Sequence, residues 1–210
     1  MLLSYYVEIK KSDTNILELG VGNAVNLLIL SLKHKQKMLG IDIQKESITL
    51  AKKSIKYNKL EKQIEVKNMD IKDSYKDLGN DIFDVILCNP PYFDKGSISK
   101  NKVKTRAKSE QLISLEDIFK ESSKLLKNSG KLYMVYPTTN LEEVFALSRK
   151  YNLGVKKIRF VYYNKERKAK VMLVKICKNA RVGLILEEPL ILFENGQKTE
   201  EYKKILGEKE

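Results

Sequence analysis

The chain has no tryptophan, a single histidine, two cysteines and four prolines, and no apolar stretch near the ~20 residues of a membrane span. Each scarcity removes a class of function. His34 with the isolated Cys88 and Cys177 cannot assemble a zinc site or a Ser-His-Asp triad, so no metal is expected. The two cysteines lie far apart within apolar segments and read as small buried hydrophobes in a reducing compartment, without a disulfide framework. The start "MLLSYYVEIKKSD" lacks a basic leader and a long apolar core, so a cytoplasmic protein without a membrane partner is expected. Acidic residues are also in deficit: 27 Asp and Glu face 40 Lys and Arg, a formal net charge of +13. That excess suits a polyanionic partner, nucleic acid first, although biased codon composition is an alternative source of lysines.

A chain of 210 residues, 42% of them hydrophobic, fits one domain with a real core. Short β-branched runs alternate with longer segments of helical period, the pattern of a doubly wound parallel α/β sheet. Strands are predicted at 15–20, 37–43, 63–68, 82–88 and 130–137, with helices at 24–34, 45–57, 115–127 and 140–151. Ser114 with Asp117 reads as an N-cap and acidic first turn, and Asn128-Ser129-Gly130 as the end of that helix. The runs 155–163 and 169–178 then follow one another without a helix, as an antiparallel hairpin. The expectation is a Rossmann-like α/β fold: a mostly parallel seven-stranded sheet, a C-terminal hairpin and helices on both faces. One domain spans 1–210; its last part, about 179–210, adds a short strand at 189–196 and a small terminal helix that frays.

Three strand ends carry chemistry. "LELGVGNAV" leads from strand to helix with Glu18, Gly20 and Gly22, glycines that let a ligand approach a helix N-terminus. A dinucleotide site would place a third glycine at position 25, which is Val25, so a pyrophosphate cradle is disfavoured. Asp42 ends the second strand, 42 − 20 = 22 residues beyond Gly20, where a carboxylate takes both hydroxyls of a ribose; capping the next helix is its alternative role. Asp70 follows the third strand, either facing an adenine amino group or serving as a loop or N-cap residue. Together the three point to S-adenosylmethionine, an adenosine ligand that needs no pyrophosphate cradle.

The fourth strand runs into Asn89-Pro90-Pro91-Tyr92. Two prolines side by side freeze a loop. The Asn89 side-chain oxygen and the Pro90 carbonyl can each accept one N–H of a conjugated amino group, turning its lone pair toward a methyl donor. Tyr92 offers a face for a planar substrate and Phe93 a second wall. A rigid turn with a packed tyrosine is the simpler alternative. Immediately downstream, Lys95, Lys100, Lys102, Lys104, Arg106 and Lys108 occur with no acid between 95 and 108. They form either a phosphate-gripping loop or a merely solvated one. The predicted hairpin tip adds Lys165, Arg167, Lys168 and Lys170.

Glu18-x-Gly20-x-Gly22 followed by Asn89-Pro90-Pro91-Tyr92 resembles class I S-adenosylmethionine-dependent N-methyltransferases acting on amino groups of bases or glutamine. Ala24 stands where many members have a third glycine. "NPPYFDKGSISKNKVKTRAKSE", "FVYYNKERKAKVMLVKICKNAR" and "EEPLILFENGQKTEEYKKIL" are similar to the bacterial tRNA adenine-N6 methyltransferase family that modifies the adenosine 3′ of the valine anticodon. The resemblance implies Asn89 through Tyr92 as catalytic residues. It further implies Glu18, Gly20, Gly22, Asp42, Asp70 and Asn89 at the cofactor, and Tyr92, Phe93, the loop cations, Arg167 and Lys168 at tRNA; no residue pattern fixes the oligomeric state, and a monomer is the expectation. Release-factor glutamine methyltransferases are the rival. They carry a helical domain ahead of the glycine loop, whereas here the loop's strand begins near Asn15. An RNA-binding module with a vestigial site is the alternative from another class, and a guanine N2 target would use the same two acceptors.

Overall fold

The computed structural model describes residues 1–90 and 113–208. Strands β1 (Asn15–Leu19), β2 (Lys37–Asp42), β3 (Ile64–Asn68), β4 (Phe83–Cys88), β5 (Leu126–Pro137), β6 (Leu153–Tyr162) and β7 (Val171–Lys178) form one sheet in the order β3-β2-β1-β4-β5-β7-β6. β1 to β5 pair in parallel, and β7 runs antiparallel to both neighbours. Two-residue strands β8 (Ile185–Leu186) and β9 (Leu190–Ile191) add to β6, and β10 (Phe193–Glu194) pairs with β11 (Gln197–Lys198). Helices α1 (Leu2–Tyr6), α2 (Val25–Ser31), α3 (Lys45–Tyr57), α4 (Tyr75–Leu78), α5 (Leu115–Leu125), α6 (Leu141–Lys150) and α7 (Glu200–Leu206) cover the faces. Among the described residues no helix is long and apolar enough to cross a membrane.

β1 and β4 are apolar on both faces because both faces are covered, as parallel sheets require. One face of the sheet (Leu17, Leu19, Ile86, Leu132, Met134) packs on Ile118 and Phe119 of α5 and Val144 of α6. The opposite face (Ile16, Val85, Leu87, Tyr133) packs on Leu3, Leu27, Ile48 and Ile205, from α1, α2, α3 and α7. At the amino edge the Asp84 carboxylate accepts from the Thr14 and Asn15 amides at 2.9 and 3.0 Å and from Lys127 at 2.9 Å. Partial burial alone would raise its pKa, but these donors outweigh burial and hold it at about 2. Such pairing clamps the start of β1 to β4.

One expectation needs correction. The helix from Leu115 has the predicted capping box, with the Ser114 hydroxyl accepting from the Asp117 amide at 3.0 Å, but it stops at Leu125. Asn128-Ser129-Gly130 does not cap it; these residues lie within β5 in a bulge, five residue steps from Leu126 to Lys131 opposing two from Phe83 to Val85. The terminal helix, expected to fray, has two tethers among the described residues. Thr199 caps it, and Arg159 forms a two-pronged ion pair with Glu201 at 2.6 and 2.7 Å. Helices α1 and α4 and strand β8 are too short to show a period and went unpredicted.

Candidate active site

The strand order reverses between β1 and β4, since β1 connects onward to β2 on one side while β4 leads to β5 on the other. Ligands of open α/β sheets bind in the crevice at the carboxyl ends of such a pair. Register places the predicted residues there. Leu19 pairs with Ile41 on one side and Cys88 on the other, so Asp42, Gly20 and Asn89 stand at one level on three adjacent strand ends. Asn89 is exposed and Pro90 buried. Pro91, Tyr92, Phe93, Lys95, Lys100, Lys102, Lys104, Arg106 and Lys108 lie outside the described residues.

The glycine loop is held from below. The Gly20 and Val21 amides both donate to the Ile41 carbonyl at 2.9 Å. Gly20 and Gly22 adopt φ of +71° and +54°, and a Cβ built on either meets no described atom within 4 Å. That is open space in front of a left-handed backbone, the form of a cradle for a ligand. The Asp42 Oδ2 accepts from the Gly22 amide at 2.9 Å and its Oδ1 from the Gln44 amide at 2.9 Å, so the side chain ties the glycine loop to the end of β2; it does not cap α3, whose first turn has no side-chain cap. The two donors orient the carboxylate and leave each oxygen a further lone pair. Asp70, exposed beyond β3, closes a local turn by accepting from the Lys72 amide at 2.9 Å.

Glu18 points away from solvent, 2% exposed. Its Oε1 accepts from Asn26 Nδ2 at 2.7 Å, while Oε2 is buried without a partner among the described residues. Burial pushes the carboxyl up to about 8; Asn26 and the Met1 amine offset part of this, and the Asp42 charge adds to it. The Cys88 thiol, at the end of β4, is pushed up by burial and by the Glu18 charge, and is thus an inert hydrophobe.

Two features, Asn26 and Gly40, escaped the sequence reading. Asn26 was an ordinary helix residue until the fold set it against Glu18. Gly40 allows the Val21 side chain to lie against β2, and an isolated glycine within a strand pattern is the signal that marks such close approach. Ala24, singled out by the sequence as a departure from the glycine pattern, is buried in a left-handed conformation with φ +65° at the start of α2. A Cβ there carries a steric cost, so Ala24→Gly should stabilise the protein by roughly 0.5 to 1 kcal/mol in urea unfolding. An unchanged or lowered midpoint would show that the loop relaxes around the alanine.

A methyltransferase-domain family model matches residues 10–207. The chain is 29% identical over 139 residues to a Trichodesmium erythraeum protein named tRNA1(Val) (adenine(37)-N6)-methyltransferase, covering 65% of this chain and 57% of that relative. It is 27% identical over 140 residues to a Porphyromonas gingivalis protein of the same name, covering 65% of this chain and 55% of that one. The chain therefore spans less than three fifths of the length of these curated relatives. Its fold matches a crystal structure titled as a predicted O-methyltransferase from Agrobacterium tumefaciens, with a TM-score of 0.80, 20% identity and coverage of 99% and 94% of the two chains. A methyltransferase of Aquifex aeolicus follows at a TM-score of 0.57 and 17% identity, covering 78% and 81%. With the glycine cradle, Asp42 and Asn89 on neighbouring strand ends and the family match over nearly its whole length, this chain belongs to the methyltransferase-domain family.

Proposed function

We propose that the protein transfers a methyl group from S-adenosylmethionine to the exocyclic N6 amine of an adenosine in tRNA, beside the anticodon of a valine tRNA. The observation that carries this reading is the placement of Asn89 and Pro90 one strand spacing from Gly20, directly after β4. The names of the relatives and the net charge of +13 support the choice of an RNA substrate.

The residues present fit the cofactor. No described atom fills the space in front of Gly20 and Gly22, the Asp42 carboxylate beside them keeps lone pairs for ribose hydroxyls, and the buried Glu18 carboxyl, protonated up to about pH 8, has an oxygen without a partner among the described residues that a cationic group would draw into its charged form. When bound, S-adenosylmethionine supplies an electrophilic methyl on a sulfonium. The adenine amine is a poor nucleophile because its lone pair is delocalised into the ring. Asn89 Oδ1 and the Pro90 carbonyl each take one N–H, which holds the nitrogen with its lone pair turned out of the ring plane. No strong base is needed before transfer. The cationic product amine would afterwards release its proton to water, because an amide oxygen and a backbone carbonyl accept a hydrogen bond without taking the proton.

Glu18 makes the reading testable through pH. Its folded carboxyl holds a proton more tightly than the unfolded chain does, so ligand-free stability falls as pH climbs from about 4.5 toward 8. A cationic ligand group beside it favours the charged form, so stabilisation by S-adenosylmethionine grows over the same window. In Glu18→Gln both slopes flatten, and the ligand-free variant melts above the wild type at pH 8, by ~2–4 °C for each kcal/mol recovered. Identical pH slopes in the two proteins would remove Glu18 from the cofactor site.

The activity itself is tested with methyl-labelled S-adenosylmethionine and, separately, bacterial tRNA, ribosomal RNA and a release factor, followed by digestion of the RNA to nucleosides. N6-methyladenosine from tRNA alone is the expected product. Label on the release factor would move the same chemistry to glutamine, and cofactor binding without label on any substrate would leave an RNA-binding module.

A further inference from the structure

The hairpin between β6 and β7 rises beside the candidate site. Register runs from Cys88 through Met134 and Val174 to Ile158, so Asn89 is level with Arg159. Tyr163 lies four residues further along, about 13 Å beyond that level at the rise of a strand, and three strand spacings, about 14 Å, to the side. The hairpin tip is thus a wall above the carboxyl edge, a few nucleotides of single strand away from Asn89.

Its surface is unusual for a turn. Tyr163, 47% exposed, stacks on Phe193 with centroids 4.7 Å apart and planes at 28°, and Phe193 meets Tyr202 edge-on at 5.6 Å. The Arg167 guanidinium carbon sits 4.7 Å from the Tyr163 centroid. Backbone hydrogen bonds fix the stack: the Phe193 amide donates to the Tyr163 carbonyl at 2.8 Å, and the Arg167 amide to the Asn164 carbonyl at 3.3 Å. Lys165 is neutralised by Glu194, whereas Arg167, Lys168 and Lys170 form no ion pair among the described residues. An aromatic stack made only to close the core would finish in apolar side chains; this one ends in a guanidinium plane, with Glu166, Lys168 and Lys170 close by in sequence.

We infer that Tyr163 and Arg167 form a stacking platform for unpaired nucleotides flanking the methylated base, with Arg167, Lys168 and Lys170 on the adjoining phosphates. The inference rests on the tRNA reading and extends it to a second contact. Unstacked bases pack on tyrosine rings and guanidinium planes, and such contacts tolerate any base, so the platform supplies grip and register rather than sequence choice.

The test measures binding of a fluorescein-labelled anticodon stem-loop RNA and of a fully paired RNA duplex, by anisotropy over a salt series. Tyr163→Ala should weaken stem-loop binding about 5- to 30-fold, leave duplex binding and the salt slope unchanged, and be rescued by Tyr163→Phe. Arg167→Ala, at an exposed position, should weaken stem-loop binding and lower the salt slope by about 1, and it tests the platform even if the tyrosine variant fails to fold. Wild-type affinity for the stem-loop in both alanine variants would overturn the platform and leave the tRNA reading standing. Equal loss on duplex and stem-loop would reduce the hairpin to electrostatics and overturn stacking. A wild-type chain that binds neither RNA yet methylates a release factor would remove the tRNA reading and the platform with it.

Discussion

Asn89→Ala loses methyl transfer by about 100- to 1,000-fold while still binding S-adenosylmethionine, the magnitude seen when one preorganised acceptor or donor is removed from a transition state. The separation follows from placement. Asn89 directly follows β4, whereas the glycine cradle is held by Ile41 and Asp42 from β2. Losing the amide removes one of two acceptors for the amine and leaves the cradle's hydrogen bonds intact. The loss belongs in kcat, because the lone pair turns outward on the way to the transition state and binding of the ring depends on other groups. Calorimetric titration of the cofactor beside single-turnover transfer from labelled S-adenosylmethionine measures both quantities. Full activity in the variant would end the two-acceptor mechanism, and loss of cofactor binding in step with transfer would make Asn89 a cofactor residue instead.

Gly40→Ala damages the site from beneath. A Cβ on Gly40 would lie 2.4 Å from Val21 Cγ2 and 2.8 Å from Val21 Cβ. Val21 is buried and branched at Cβ, so it cannot swing aside, and the loop backbone must move. That backbone carries the Gly20 and Val21 amides bonded to Ile41 and the Gly22 amide bonded to Asp42. Overpacking should cost about 1–3 kcal/mol of stability. Displacing the cradle by a fraction of an ångström to an ångström should weaken cofactor binding by ~10- to 100-fold. Val21→Ala in the same chain removes the 2.4 Å contact but keeps the Val21 Cβ at 2.8 Å, so the double variant should regain only part of the cofactor affinity. Unchanged affinity in Gly40→Ala alone would show that the loop is not held by this contact.

The sequence reading succeeded where local chemistry and long-range structure demand the same residue. β1 and β4 are nearly continuous apolar runs because both faces are covered, and only a parallel sheet with helices on each side uses such strands. The absence of a helical period between 163 and 171 left a hairpin as the sole connection. Gly20 and Gly22 were legible because a left-handed turn needs them whatever surrounds it. The bulge at Leu126–Lys131 was not, since Asn-Ser-Gly ends a helix equally well; the pairing of β5 with β4 chose between the two uses.

The sequence by itself therefore determined the α/β class, the chemical identity of the strand-end residues and the excess of positive charge, because each is written in residue type and spacing. Tertiary structure alone decided that Asp42, Gly20 and Asn89 stand side by side, since strand order and register bring together positions up to 69 residues apart. It alone turned Glu18 into a buried carboxyl held at about 8, because a pKa depends on the water and charges that folding removes or supplies. It alone set Tyr163, Phe193 and Arg167 into one surface, through strand pairings that no local pattern encodes.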